Sequence, residues 1–207
     1  MDPVITHLEK AFDTSHPVAI LLAGCMQTGG RWTGHKFIRD HFREAMSMPN
    51  VYVGLFGDEV ENFKSGTFAG ARSQMDQALP PDKQKMLWRL FMKQIGPRTL
   101  WGMWSQHGAI WDERDGHNII KDTYKEHAIP YFDGMGYVKL TVGSETYHLA
   151  VSHEFPGNSM YNKTHPQKRA LWQRFPNADA VIQADRHQYA VSEETAYGHE
   201  VLAGNRK

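Results

Sequence analysis

Two short runs without a charged residue, the aliphatic 18–23 and the mixed aliphatic and aromatic 51–56, each close on a glycine followed by residues able to do chemistry: Gly24-Cys25-Met26 after the first and Gly57-Asp58-Glu59 after the second. Runs this short are far from the roughly 20 residues that cross a bilayer. They read instead as strands buried on both faces, which need helical cover from elsewhere in the chain. The intervening segments supply it. Residues 34–48 carry Phe37, Ile38, Phe42 and Ala45 at helical spacing and stop before Pro49. Residues 81–95 start on Pro80-Pro81-Asp82, stop at Gly96-Pro97, and place Met86, Leu87, Leu90, Phe91 and Ile95 as an apolar stripe.

Further elements follow the same reading. Residues 3–12 are expected to be a short helix, 99–104 a third strand and 118–127 another helix. Residues 137–142 and 146–152, separated by Gly143-Ser144, predict a hairpin. A helix over 164–175 with Pro166 near its first turn precedes expected strands at 178–183, 188–191 and 197–203. The longest irregular stretch is 62–80. Strand–helix alternation followed by hairpins predicts an α/β fold, a single domain over 1–207.

Composition narrows the function classes. The 207 residues hold 23 Lys+Arg against 23 Asp+Glu, which argues against broad charge-driven nucleic-acid binding. The single cysteine, Cys25, excludes an internal disulfide and a Cys-rich zinc site. The N-terminal residues show no signal-peptide pattern, so the expectation is a soluble, cytoplasmic protein with no membrane association. Twelve histidines are the compositional oddity.

In α/β folds, sites form where strands end. Reading those positions in turn gives Asp58 and Glu61, then Gln106 and His107, then His153 and Glu154, then Asp185 and His187. Oxygen and imidazole donors recurring after successive strands suit a hard or borderline divalent metal. Each has a plain structural competitor. Asp58 after Gly57 can cap a turn, and His153 and His187 can be hydrogen-bonded structural residues. Cys25, with no basic neighbour, reads as a small buried apolar residue rather than a nucleophile. The cluster Lys163, His165, Lys168 and Arg169 reads as a solvated helix face, and Trp88, Phe91 and Met92 as core.

The order of these blocks resembles the calcineurin-like metallophosphoesterase family, most closely its bacterial and phage-encoded members. Gly57-Asp58-Glu59-Val60-Glu61-Asn62, Trp104-Ser105-Gln106-His107-Gly108, Ser152-His153-Glu154-Phe155-Pro156-Gly157 and Ala184-Asp185-Arg186-His187 are similar to the family's successive motifs. The resemblance implies a four-layer sandwich of two packed sheets flanked by helices. It also implies metal ligation by Asp58, Gln106, His153, Asp185 and His187, with His107 as the catalytic acid.

The departures fall on the first motif, whose Asp and His positions are taken by Gly24 and Met26. Neither binds a hard cation. Gln106 stands for an asparagine and Asp185 for a histidine. One metal would then keep only Asp58 and His187. The other would have Asp58, His153, Gln106 and Asp185. The expectation is a degenerate metallophosphoesterase without the two-metal clamp that generates the nucleophile, serving in binding or assembly with a protein partner. The alternative is an active phosphodiesterase or nuclease that uses one divalent metal (Mn, Zn, Fe or Mg) on a phosphoester or nucleic-acid substrate. A phage-encoded copy would work in the host cytoplasm or the virion, and complete degeneration would leave no cofactor.

Overall fold

A computed structural model describes residues 4–63, 74–114, 116–187 and 189–194. The chain runs β1 (Ile5–Phe12), β2 (Ala19–Ala23), α1 (His35–Ser47), β3 (Val51–Leu55), α2 (Pro81–Ile95), β4 (Thr99–Met103), α3 (Gln106–Arg114) and α4 (Ile119–Glu126). It continues through β5 (Tyr131–Phe132), β6 (Met135–Val142), β7 (Glu145–Ser152), α5 (His165–Gln173) and β8 (Ala180–Gln183). The strands form two four-stranded sheets, ordered β2-β3-β4-β5 and β1-β6-β7-β8. The first is parallel throughout. The second is mixed, with the β6–β7 hairpin inserted between two parallel pairings.

Side-chain alternation builds the layers. On β3, Val53 and Leu55 join α1 and α2 in a core containing Phe42, Trp88, Met92 and Tyr124. Tyr52 faces the other way, into a core shared by Trp101 and Met103 of β4, Phe12 of β1 and Val138 and Leu140 of β6. That second core holds the two sheets together. A third cluster, including Met135, Ala150, Ala170 and Phe175, seats α5 on the far side of the mixed sheet. The fold is therefore α/β with helices outside both sheets, as strand–helix alternation predicts. Among the described residues no helix is long and apolar enough to cross a membrane.

Several local expectations change. Residues 5–12 form a strand, not a helix. Ile5, Leu8 and Phe12 mimic helical spacing, but the segment pairs in register with all of β6, and that ladder decides its conformation. The aliphatic run at 19–23 is a strand but lies at a sheet edge, where Leu22 stays 42% exposed. Residues 189–191 form no strand, while Gln188 and the strand expected at 197–203 lie outside the described residues. In the irregular stretch, 74–76 make one turn of 3-10 helix and 64–73 lie outside the described residues. The helix α3, directly after β4, was not expected.

On α2 the expected apolar stripe is buried only in part, at Ile95 and partly at Phe91. Gln84, Lys85, Trp88, Met92 and Ile95 are buried, whereas Met86, Leu87 and Leu90 are largely exposed. Lys85 is paired inside the protein with Asp112 of α3 at 2.6 Å, and Gln84 accepts from the backbone N–H of Asn62 at 2.8 Å. Those polar anchors share the inward face with Trp88, Met92 and Ile95.

Candidate metal centre

The exits of five strands are stitched together by bonds from backbone N–H groups. Phe56 N–H donates to Ala23 O at 2.8 Å, Cys25 N–H to Gly57 O at 3.0 Å, and Gln27 N–H to Asp58 O at 2.8 Å, so the segments after β2 and β3 run side by side. Asp58 N–H donates to the Ser105 hydroxyl after β4 at 2.7 Å. Ala184 N–H after β8 donates to His153 O after β7 at 3.2 Å, and Asp185 N–H donates to the Cys25 sulfur at 3.2 Å.

This convergence bends the chain sharply. Cys25, Gln27, Asp58, Asn62, Asp185 and His187 account for six of the eight non-glycine residues with positive φ among the described residues. Such conformations cost about 1 kcal/mol or more each, and they cluster at functional sites. Gly57, at φ +82°, cannot be replaced, because a Cβ there would lie 2.5 Å from Ser105 Cβ.

Cys25, Asp58 and His153 bring one ligand atom each to within 4.8 Å of one another. His153 is buried, its Nδ1 2.5 Å from the Phe56 carbonyl oxygen. A carbonyl only accepts, so Nδ1 carries a proton and Nε2 is the atom turned toward the acids. Nε2 lies 3.3 Å from Asp58 Oδ2 and 3.7 Å from Asp185 Oδ1, in ion-pair range but with no aligned hydrogen bond. An imidazole fixed at Nδ1 by a backbone carbonyl, with Nε2 facing a carboxylate and a sulfur, is the usual arrangement of a ligating histidine.

Charge is balanced by protons. Burial pushes the Asp58 carboxyl up, but the close imidazole of His153 and its charge, helped by His107 and Ser105, hold it below the usual carboxylate range. Burial opposes a charge on His153, and Asp58, the Phe56 carbonyl and Asp185 outweigh it, so its pKa lies above the ordinary value. Burial pushes the Cys25 thiol up to about 12 against the Asp185 N–H bond, with the Asp58 charge adding to the rise. Without a cation, Cys25 is a neutral thiol; a cation reverses that preference. Sulfur, imidazole and carboxylate together, with a buried nitrogen lacking an aligned partner, fit a borderline divalent metal.

The sequence-predicted residues divide accordingly. Asp58 and His153 meet in the triad, and Asp185 borders it through its carboxylate and backbone N–H. His107 N–H donates to Asp58 Oδ1 at 3.1 Å, while its ring Nδ1 lies 3.0 Å from Glu61 O. Gln106 is exposed at the first turn of α3. His187 is exposed, close enough to Glu61 for its charge to act on that carboxylate.

Gly24 is hemmed in. A Cβ there would meet Phe56 Cβ at 2.8 Å and Ala184 Cβ at 3.0 Å. Met26 is buried in the helix-side core. Cys25, read from the sequence as a small buried residue rather than a nucleophile, is partly buried with its thiol held neutral, and its sulfur lies with Asp58 and His153. Its place directly beyond a strand end was the available signal. Comparison with protein-family models, curated proteins and solved structures gives no match to this chain.

Proposed function

We propose that the chain is a metallophosphoesterase-like domain, its two sheets and outer helices forming a four-layer sandwich, that keeps one metal position and has lost two-metal hydrolysis. Its role on this reading is binding or assembly with a protein partner. The carrying observation is the triad of Cys25, Asp58 and His153, a single sulfur–oxygen–nitrogen donor set, beside a Gly24 whose space is already filled by Phe56 and Ala184. Thiol ligation favours zinc or iron over magnesium. A metal held there would supply Lewis acidity; the chain's own contribution is to orient His153 through Phe56 and to exclude water from Asp58.

The test is elemental analysis of the full chain after loading with zinc or manganese and removal of excess, paired with an assay on a chromogenic phosphodiester. One zinc per chain, little retained manganese, and hydrolysis no faster than metal alone are expected. Two tightly held ions with chelator-sensitive turnover would overturn the reading.

One observation favours a second reading, a one-metal phosphodiesterase. His107 is tied to Asp58 by its backbone N–H and to Glu61 through its ring, and its partly exposed imidazole, near enough to act on Asp58, would serve on this reading as a general acid. That reading requires hydrolysis that both His107→Ala and Asp58→Ala abolish while the fold survives.

A further inference from the structure

Helix α2 buries two polar residues, Gln84 and Lys85, together with Trp88, Met92 and Ile95, and leaves several apolar residues outside. Gln84 and Lys85 are 0% and 4% exposed, while Met86, Leu87 and Leu90 are 51%, 38% and 50% exposed. At 100° per residue, Leu87, Leu90, Phe91 and Gln94 form a second stripe that adjoins the buried one, whose Trp88 and Ile95 also line the space beside it. It faces Ile38, Phe42 and Met46 of α1 across an open groove of about 640 Å³. The Phe42 and Phe91 rings meet edge to face at 4.9 Å and form its floor. An exposed apolar stripe, held outward by buried polar anchors, marks an interaction surface rather than an incomplete core.

The rim specifies the partner's charge. Lys36, Arg39 and Arg43 follow i, i+3, i+7 spacing along the α1 side of the groove, and no aspartate or glutamate lines it among the described residues. Asp40 is the single carboxylate bridging all three, so the row keeps net positive charge. The α2 side of the groove adds no opposite charge, its lining being Leu87, Trp88, Leu90, Phe91, Gln94 and Ile95, so docking a second copy of the same face would bring two basic α1 rows into one interface.

We infer that the groove between α1 and α2 receives an amphipathic helix of a protein partner, three to four turns long, with apolar anchors at i, i+3 or i+4 and i+7 and acidic residues along one flank. This deepens the binding role proposed above by naming a surface and a partner chemistry. It involves none of the triad residues, so metal stoichiometry tests that reading separately.

The experiment pans a display library of 14-residue helical peptides against the full chain. Enriched sequences are then measured by fluorescence anisotropy on the wild type and on Leu90→Asp and Arg39→Glu/Arg43→Glu variants, all at exposed or groove-facing positions. The expected result is enrichment of acid-flanked amphipathic helices with micromolar Kd, weakened at least tenfold by Leu90→Asp. The charge reversal should weaken the same peptides and improve binding of their lysine-flanked counterparts. Circular dichroism on each variant confirms folding; if Leu90→Asp unfolds, Leu87→Ser serves in its place. Enrichment without acidic bias overturns the inference, as does binding indifferent to both variants. Concentration-dependent self-association abolished by Leu90→Asp would assign the groove to a second copy, and binding to phosphatidylglycerol vesicles abolished by the same change would assign it to a lipid surface; either outcome overturns the protein-partner assignment.

Discussion

The Tyr124 hydroxyl donates to Glu59 Oε1 across 2.5 Å inside a region where both side chains are fully buried. Glu59 directly follows Asp58, so one residue points to the candidate metal centre and the next into the helix-side core. Burial pushes the Glu59 carboxyl up to about 7, the Tyr124 bond opposing the rise. The native state therefore binds more protons than the unfolded chain between the ordinary glutamate value and about 7.

Stability is consequently expected to fall as pH rises through that window. With a shift from 4.5 to about 7, the loss is on the order of 3 kcal/mol at most, using 1.36 kcal/mol per unit. Glu59→Gln keeps an acceptor for Tyr124 and removes the titration. Urea unfolding in chelator at about pH 5 and about pH 8 should show the variant gaining on the wild type at the higher pH. Parallel behaviour of the two proteins would exclude a proton on Glu59 as the cause.

Metal binding by the triad should release the Cys25 proton. Because that thiol is held up to about 12, the apparent affinity for zinc is expected to climb about tenfold per pH unit between about pH 7 and pH 9. Cys25→Ser should lose that slope, along with the thiolate-to-metal charge-transfer absorption that the wild type gives with cobalt. A wild-type cobalt complex lacking this absorption would remove Cys25 from the ligand set.

How much of this was legible in the sequence depends on what each residue's neighbours decide. Strand ends carrying Asp58 and His153 could be read because short aliphatic runs and their closing residues are local signals. The strand at Ile5–Phe12 could not, since its apolar spacing is helical and its partner lies about 130 residues away on β6. The surroundings of Cys25 were hidden for a related reason. A lone cysteine without basic neighbours in sequence looks inert, and only the meeting of β2, β3, β7 and β8 exits places Asp58, His153 and Asp185 around it. The rotation of α2 was equally hidden, because Asp112, the acid that draws Lys85 inward, belongs to a helix that periodicity did not reveal.

Restoring an acid at Gly24 is expected to fail as a repair. Contacts of 2.8 Å to Phe56 Cβ and 3.0 Å to Ala184 Cβ leave no room for a Cβ without backbone movement. Gly24→Asp should cost about 1–3 kcal/mol, as overpacking does, and should add no second ion. Denaturation midpoints and metal-to-protein ratios on the same preparation check both. A stable variant holding two ions would show that the strand exits are more yielding than these contacts allow.

The Lys85–Asp112 pair offers the sharpest test of what fixes α2. The two groups lie 2.6 Å apart, with side chains 5% and 0% exposed. Removing the cation alone takes from the interior the ammonium that faces the Asp112 carboxylate, so Lys85→Met should destabilise by about 3–5 kcal/mol. Replacing both groups with apolar side chains avoids that penalty, and Lys85→Met/Asp112→Leu should recover most of the loss. Equal destabilisation by the single and the double change would mean that Asp112 serves the fold through other contacts. In the double variant the helix no longer gains by keeping position 85 beside α3. Exposed Leu87 and Leu90 then compete for burial, so apolar dye binding at the α1–α2 groove should fall if the helix rotates and stay unchanged if Trp88 and Met92 alone hold its register.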